Sequence, residues 1–170
     1  MSRTSQTTTR ELSYYELYLL DYLRQHRFSQ QHDRDFIRTR ADEAAETYEQ
    51  ERRNGHSSAG AQELAMAALT KGLHYSQYDI LLGVIDSEFE KSVPPVLHER
   101  LAENLLPFMG KVFSIYDLTN DDLPLTDEYQ NLHDELTGAV TLYLRQYGIQ
   151  SEGTSSEEYR RHQDGIPDRA

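Results

Sequence analysis

Apolar positions recur every three or four residues along most of the chain, which is the period of an α-helix. Strand-like alternation of apolar and polar residues does not run for any useful length. The pattern predicts an all-α fold, a compact multihelical single domain of about six helices with no sheet. We expect a helical domain at residues 11–148, between a polar N-terminal tail at 1–10 and a polar C-terminal tail at 149–170 with little packed structure.

Helix-capping signals set the boundaries in the first third of the chain. Ser13 followed by Glu16 has the spacing of a capping box and predicts a first helix over residues 14–26. Asp33 is the expected N-cap of a long second helix that ends at residues 54–55. The first helix is apolar on nearly every side, so it should lie centrally or at an interface. The second has one charged face and should lie on the surface.

Serine caps, prolines and glycines bound the remaining helices. Small residues dominate the third helix, which indicates that it approaches a neighbouring helix closely. Pro107 is expected to kink or end the fifth helix. The boundary residues are Ser57 or Ser58 and Gly72 for the third helix, Ser76 for the fourth, Pro94 and Pro95 for the fifth, and Thr126 or Asp127 and Gly148 for the last.

Length and composition bound the classes of protein that this chain can represent. At 170 residues the chain has the size of one domain, so we expect one core. The absence of cysteine excludes disulfides, thiolate zinc sites and cysteine nucleophiles. The N-terminus lacks the apolar run of a secretory signal and no segment could span a bilayer, so we expect a cytoplasmic protein with no membrane association.

The charge balance is acidic, with 17 basic and 29 acidic residues and a net charge of −12. Such a surface repels phosphate backbones and anionic lipids, so direct binding to nucleic acid is not expected. Residues 57–148 carry five basic and fourteen acidic residues, a net charge of −9. This part of the chain is either solubilising or complementary to a basic protein partner.

Several stretches together resemble the family catalogued as domain of unknown function 1896, from Bacteroides-like bacteria. The resemblance covers about residues 11–148, is less clear between 94 and 124, and does not include the tails. It implies a multihelical fold, a bacterial cytoplasmic setting and an accessory role in mobile genetic elements, and it brings no activity and no site residues. The stretches that carry it are residues 11–23, 35–38, 40–42, 60–66, 72–76, 78–79, 136–138 and 142–144.

The turn between the third and fourth helices, residues 72–79, is the best candidate for chemistry. It places His74, Tyr75 and Asp79 around one helix-to-helix corner, where they could act as general acid and base or hold a ligand. The structural alternative is that Ser76 caps the fourth helix and Asp79 favours its dipole. His74 and Tyr75 would then be packing residues of the corner.

An acidic loop after residue 116 approaches the pattern of a calcium-binding loop. Asp122 stands where such a loop needs glycine, and Pro124 follows in a stretch that normally pairs as a strand. Both departures oppose calcium binding, so no metal and no cofactor is predicted. The oxygen-bearing residues at the first, third, fifth and twelfth positions are Asp117, Thr119, Asp121 and Glu128.

Four arginines surround the turn after the first helix, and they could bind a phosphate or an acidic segment. The alternative is a solvated surface in which these arginines pair with neighbouring aspartates. The arginines are Arg24, Arg27, Arg34 and Arg38, and the aspartates are Asp21, Asp33, Asp35 and Asp42.

Tyrosine is unusually frequent, with twelve tyrosines, five phenylalanines and no tryptophan. Tyr14, Tyr18 and Tyr22 stand four residues apart and share one face of the first helix. If that face is uncovered, it is where a partner or a second copy would dock, because tyrosine is common at interfaces. In a buried core the same tyrosines would bridge to polar groups at its edge.

Two hypotheses about function follow. The first is a non-enzymatic protein-interaction or adaptor protein that binds another protein or self-associates, and its sharper version is an acidic mimic that covers the basic groove of a DNA-binding protein. The second is a small-molecule-binding or hydrolytic site at His74 and Asp79. The sequence favours the first, because small helical domains without metal or nucleotide motifs more often bind than catalyse.

Overall fold

The computed structural model describes residues 12–149, and both predicted tails lie outside these residues apart from Ile149. Within them the chain is all-α, as predicted, with no strand and four short 3₁₀-helices between the α-helices. The α-helices are α1 (Tyr14–Gln25), α2 (Arg34–Arg53), α3 (Ser58–Leu69), α4 (Gln77–Glu88), α5 (His98–Leu105), α6 (Gly110–Phe113) and α7 (Asp127–Tyr147). The 3₁₀-helices are Ser29–His32, Pro95–Leu97, Leu106–Phe108 and Leu123–Leu125.

The predicted caps form and fix the starts of the first four α-helices. Ser13 and Glu16 make the reciprocal capping box of α1, with the Ser13 N–H donating to Glu16 Oε2 at 2.7 Å. The side chain of Asp33 accepts the backbone N–H of the third residue of α2 at 2.9 Å. Ser57 and Ser76 cap α3 and α4 in the same way. Each cap satisfies a backbone donor that the first turn leaves without an intrahelical partner.

The segment after the proline pair is divided at Pro107, where the sequence predicts that the fifth helix kinks or ends. The 3₁₀-turn Pro95–Leu97 precedes α5, and α5 ends at Leu105. Pro107 then lies in the 3₁₀-turn Leu106–Phe108, which is followed by the four-residue α6. Proline has no N–H to donate to the preceding turn, so the α-helical ladder stops there and the chain bends. This break is why seven α-helices replace the expected six within the described residues.

The buried apolar residues form two clusters and not the one continuous core that the chain length predicts. The N-terminal cluster joins α1, α2 and α3, and its members are Leu19, Leu23, Ile37, Ala44, Ala65, Leu69 and Leu73. The C-terminal cluster joins α4, α5, α6 and α7 around Leu81, Ile85, Leu105, Phe113, Leu132 and Leu136. The fold is therefore two helical groups in sequence, and the corner between α3 and α4 connects them.

Small side chains bring α2 and α3 together, as the composition of α3 predicts. Ala41 and Ala44 of α2 and Ala61 and Ala65 of α3 are each at most 2% exposed. The short side chains let the two backbones pack closely over much of their length. The opposite face of α2 carries exposed charged residues, which confirms that this helix lies on the surface. None of the helices within residues 12–149 has both the length and the apolar character needed to cross a lipid bilayer.

Candidate functional site

The outer face of α1 exposes large apolar side chains next to one another. Tyr14 is 62% exposed, Leu17 is 54% exposed and Tyr18 is 41% exposed, while Leu12 before the helix is 43% exposed. We call these four residues the α1 surface. The rings of Tyr14 and Tyr18 lie 6.4 Å apart. Positions 14, 17 and 18 fall on one helix face, so the side chains form a continuous apolar stripe.

The third tyrosine of the predicted face has a different environment. Tyr22 turns towards the α3–α4 corner, where its hydroxyl donates a hydrogen bond to the carbonyl oxygen of Leu73 at 2.7 Å. Its ring stacks on Phe28 with centroids 6.2 Å apart. Burial raises the pKa of the Tyr22 phenol, and the nearby carboxylate of Asp79 raises it further. The three tyrosines therefore do not share one environment. Tyr14 and Tyr18 are exposed, whereas Tyr22 bridges to a backbone carbonyl group.

The α3–α4 corner gives its candidate residues separate partners. His74 Nε2 faces Asp121 Oδ1 at 3.6 Å, whereas Asp79 Oδ2 lies 2.6 Å from Nδ1 of His26. The Tyr75 hydroxyl donates to the backbone oxygen of Asp121 at 3.1 Å. His74 and Asp79 are thus bound to different segments of the chain and form no acid–base pair with each other.

The two helical groups meet at a junction of charged and aromatic side chains at the end of α1. His26 bonds Asp79 of α4, and the guanidinium of Arg27 pairs with the carboxylate of Glu103 of α5. The same guanidinium lies over the ring of Tyr78, 5.6 Å from its centroid. The junction unites residues that the sequence assigned to separate candidates. The pair of His26 with Asp79 was not predicted, because the two residues lie 53 positions apart and no local pattern reveals that contact.

Arg27 holds a backbone conformation that is unusual for a residue with a side chain. Its φ is 56°, and among residues 12–149 it is the only residue other than glycine with a positive φ. The Phe28 N–H donates to the Leu23 oxygen and the Arg27 N–H to the Arg24 oxygen, the two hydrogen bonds of a Schellman motif. Glycine normally fills this left-handed position, because any other L-residue costs roughly 1–2 kcal/mol there. Arginine occupies it and supplies the Glu103 and Tyr78 contacts.

Exchanging Arg27 for glycine and for alanine separates the backbone strain from the side-chain contacts. Arg27→Gly should stay within about 1 kcal/mol of the wild type in unfolding free energy, because relief of strain offsets the loss of a half-exposed ion pair. Arg27→Ala loses the same contacts and keeps the strain, so it should be about 1 kcal/mol less stable than Arg27→Gly. Urea denaturation measures both. Equal stability of the two variants would show that the conformation at position 27 is not strained.

A cavity of about 290 Å³ opens beside this junction. We call it the junction cavity. It lies between the turn after α1, the α3–α4 corner and the loop after α6. It is lined by Arg27, Phe28, Ser29, Gln30, Gly72, Tyr75, Gln77, Leu106, Leu118 and Thr119. Of the residues predicted at the corner, Tyr75 lines this cavity and His74 and Asp79 do not.

The four arginines of the predicted anion patch differ in their contacts. Arg27 is engaged at the junction, whereas Arg24, Arg34 and Arg38 are exposed and make no ion pair with any residue of the described range. The predicted aspartate partners have other roles. For example, Asp21 accepts a hydrogen bond from Gln25 and Asp33 caps α2.

The acidic loop uses its oxygens internally. Asp117 Oδ1 accepts the backbone N–H and the hydroxyl of Thr119 at 3.0 and 2.6 Å, and these two bonds lower the pKa of the Asp117 carboxyl. Asp121 faces His74, and Pro124 lies in the 3₁₀-turn Leu123–Leu125 ahead of Glu128. Within residues 12–149 no three histidine or acidic side chains are grouped so that they could hold a metal ion.

One histidine is buried in the C-terminal group with both ring nitrogens engaged. His98 is 4% exposed, with Nδ1 at 2.6 Å from Asp86 Oδ1 and Nε2 at 2.9 Å from the oxygen of Val93. Burial lowers the pKa of His98, but the hydrogen bonds to Asp86 and Val93 outweigh it and raise the pKa above 6.5. Both contacts are hydrogen bonds only when the ring carries two protons, so the arrangement favours imidazolium.

An aromatic groove was also not predicted from the sequence. Phe108, Met109, Ala139, Tyr143 and Tyr147 line a groove of about 440 Å³ between the α5–α6 turn and the end of α7. Phe108 is 70% exposed and Tyr147 is 56% exposed. Tyr143 is partly buried against the C-terminal cluster, so the groove has one packed wall and an exposed aromatic edge.

Comparison with known proteins supports the fold and adds no chemistry. Residues 7–149 match the family described as Domain of unknown function (DUF1896). The chain is similar to the crystal structure of protein PG0816 from Porphyromonas gingivalis, with 38% sequence identity and a TM-score of 0.72. The similarity covers 83% of this chain and 95% of that one. No curated protein matches the chain.

Proposed function

The chain belongs to the family described as Domain of unknown function (DUF1896), and we propose that it is a non-enzymatic interaction protein that binds a protein partner through the α1 surface. The family brings no activity, so the proposal rests on the molecule itself. The observation that carries it is the uncovered apolar stripe of Tyr14, Leu17 and Tyr18, each more than 40% exposed. Exposed apolar patches on folded chains mark interaction sites, and tyrosine supplies much of their binding energy.

The geometry of the stripe suits a helical partner. Its residues follow the three- and four-residue spacing that an apolar helix face presents to a complementary groove or helix. Charge favours a different protein over a second copy, because two chains of net charge −12 repel each other. An accessory role in a mobile genetic element and a cytoplasmic location, both implied by the family resemblance, belong to the same proposal.

Capture of the partner should depend on the α1 surface. In a tagged pull-down from nuclease-treated lysate of the source cells, the double variant Leu17→Ser and Tyr18→Ser should capture at least about tenfold less partner than the wild type. The reason is that both substituted side chains belong to the proposed contact surface. Mass spectrometry identifies and quantifies the partner. Circular dichroism checks that the double variant keeps the wild-type helicity.

A matched control comes from another exposed leucine. Leu125 is 86% exposed in the 3₁₀-turn before α7, outside the α1 surface, so Leu125→Ser should capture as much partner as the wild type. Equal capture by the α1 double variant and by the control would overturn the proposal. If the wild type eluted as a dimer and the α1 double variant as a monomer, the partner would be a second copy of this chain and not a different protein.

A further inference from the structure

We propose that the junction cavity binds a small organic carboxylate with an apolar body, and that Arg27 holds its charged end. This site is separate from the α1 surface. The lining of ten residues contains one arginine and no acidic residue. That balance contrasts with the whole chain, in which acidic residues outnumber basic ones by 29 to 17. The cavity is therefore a place where this acidic molecule can accept an anion.

The guanidinium of Arg27 has donors to spare. Its Nη2 donates to Glu103, and no other hydrogen bond of this side chain is made within residues 12–149. Both partners of the ion pair are about half exposed, at 50% for Arg27 and 47% for Glu103, so the pair is weak and easily shared. A guanidinium binds a carboxylate through two parallel N–H groups, which matches the free edge of Arg27.

The start of α4 adds a second favourable element at the same cavity. Gln77 is the first residue of this twelve-residue helix and lines the cavity. Backbone N–H groups at a helix start lack intrahelical partners and favour negative charge. The side-chain amide of Gln77 makes no hydrogen bond with any residue of the described range, so it is free to donate to a ligand.

The rest of the lining selects an apolar body of limited size. Phe28, Leu106 and Leu118 supply apolar walls, and Ser29, Gln30 and Thr119 supply neutral hydrogen-bonding groups. A volume of about 290 Å³ lies at the small end of ligand sites, which are roughly 300–1,000 Å³. A single ring or a short aliphatic chain bearing one carboxylate fits this space, whereas inorganic phosphate would leave the apolar walls uncovered.

Ligand-observed NMR on the full chain tests the site with matched carboxylate and amide probes. The pairs are benzoate and benzamide, phenylacetate and phenylacetamide, and hexanoate and hexanamide. At least one carboxylate should bind about tenfold more tightly than its amide, because only the carboxylate pairs with Arg27. In protein-observed spectra, the amide resonances of Ser29 and Thr119 should also shift on binding. Binding of no carboxylate, or equal binding of each pair, overturns the proposal.

Two substitutions with opposite expected effects exclude a general effect of charge or folding. Gln77→Glu places an acid at a helix start, where it is favourable for α4, but it should weaken carboxylate binding about tenfold by repulsion. Glu103→Gln removes the competitor for Arg27 and should strengthen binding severalfold. The controls Ser58→Glu, at the start of α3, and Arg38→Gln, on the exposed face of α2, should leave binding unchanged. Weakening by Ser58→Glu to the same extent as by Gln77→Glu would overturn the site assignment.

Discussion

Replacing Phe113 with alanine is expected to lower the free energy of unfolding by about 3–5 kcal/mol, the usual cost of truncating a buried phenylalanine. Phe113 is 2% exposed and packs in the C-terminal cluster. It lies in α6, which is only four residues long and cannot hold itself by its own hydrogen bonds. The ring is therefore what anchors this segment, and its loss leaves a cavity in the C-terminal cluster. Urea denaturation followed by circular dichroism measures the change.

A second phenylalanine five residues earlier provides the control for this prediction. Phe108 is 70% exposed at the edge of the aromatic groove, so Phe108→Ala should change the free energy of unfolding by less than about 1 kcal/mol. If the two variants were equally stable, Phe113 could not be buried as the structure has it. That result would contradict the packing of α6 against the C-terminal cluster.

Substitution of His98 is expected to have the second largest effect, and its size should depend on pH. His98→Leu removes two hydrogen bonds and leaves the Val93 carbonyl unsatisfied, which should cost about 2–3 kcal/mol while the wild-type ring is charged. Asp86 is 58% exposed, so water can solvate its carboxylate in the variant. Urea denaturation at several pH values measures the difference.

The direction of the pH effect follows from the raised pKa of His98. A group with a higher pKa in the folded state stabilises the fold fully below its unfolded pKa of 6.5, and this contribution is lost as pH rises through the folded value. The difference between wild type and His98→Leu should therefore be larger at about pH 6 than at about pH 9. A difference that stays constant over this range would contradict a charged His98.

An exposed histidine tests whether this behaviour is specific to His98. His32 is exposed in the 3₁₀-helix Ser29–His32 and makes no ion pair with any residue between 12 and 149. His32→Gln should keep the pH profile of the wild type, because the exposed imidazole makes no hydrogen bond or ion pair with residues 12–149 that the substitution could remove. If His32→Gln changed the pH dependence of the unfolding free energy as much as His98→Leu, the effect would come from loss of any histidine charge and not from the contacts of His98.

The helix starts could be predicted because their signals are local. A serine or aspartate side chain caps a backbone N–H two or three residues away, so Ser13, Asp33, Ser57 and Ser76 each mark the start of a helix in the sequence itself. The end of α7 at Gly148, with a φ of 67°, is equally local. These contacts need no knowledge of the tertiary structure.

The features that sequence reasoning missed depend on distant contacts. The pairs of His26 with Asp79 and of Arg27 with Glu103 join residues 53 and 76 positions apart, and no periodic pattern links them. The left-handed conformation after α1 was also not predicted, because Arg27 stands where glycine is usual. Division of the core into two clusters depends on how the α3–α4 corner directs the chain, which composition does not specify.

The candidate site was predicted in parts. The sequence named Tyr14 and Tyr18 from helical spacing, and the structure leaves both exposed. Leu17 lies between them on the same face, but apolar residues on every side of α1 gave no reason to select it. Arg27 and Tyr75 were named for other reasons, and only the tertiary structure brings them to one cavity. Spacing along a helix is visible in sequence, whereas convergence of separate segments is not.

Site-specific photo-crosslinking in the source cells tests partner binding through the α1 surface most directly. A photo-crosslinking phenylalanine analogue replaces Tyr14 in one variant and Leu125 in another, at the α1 surface and at a more exposed position outside it. One abundant crosslinked protein is expected from position 14, and little or none from position 125. Equal crosslinking from both positions, or none from position 14, would contradict partner binding through α1.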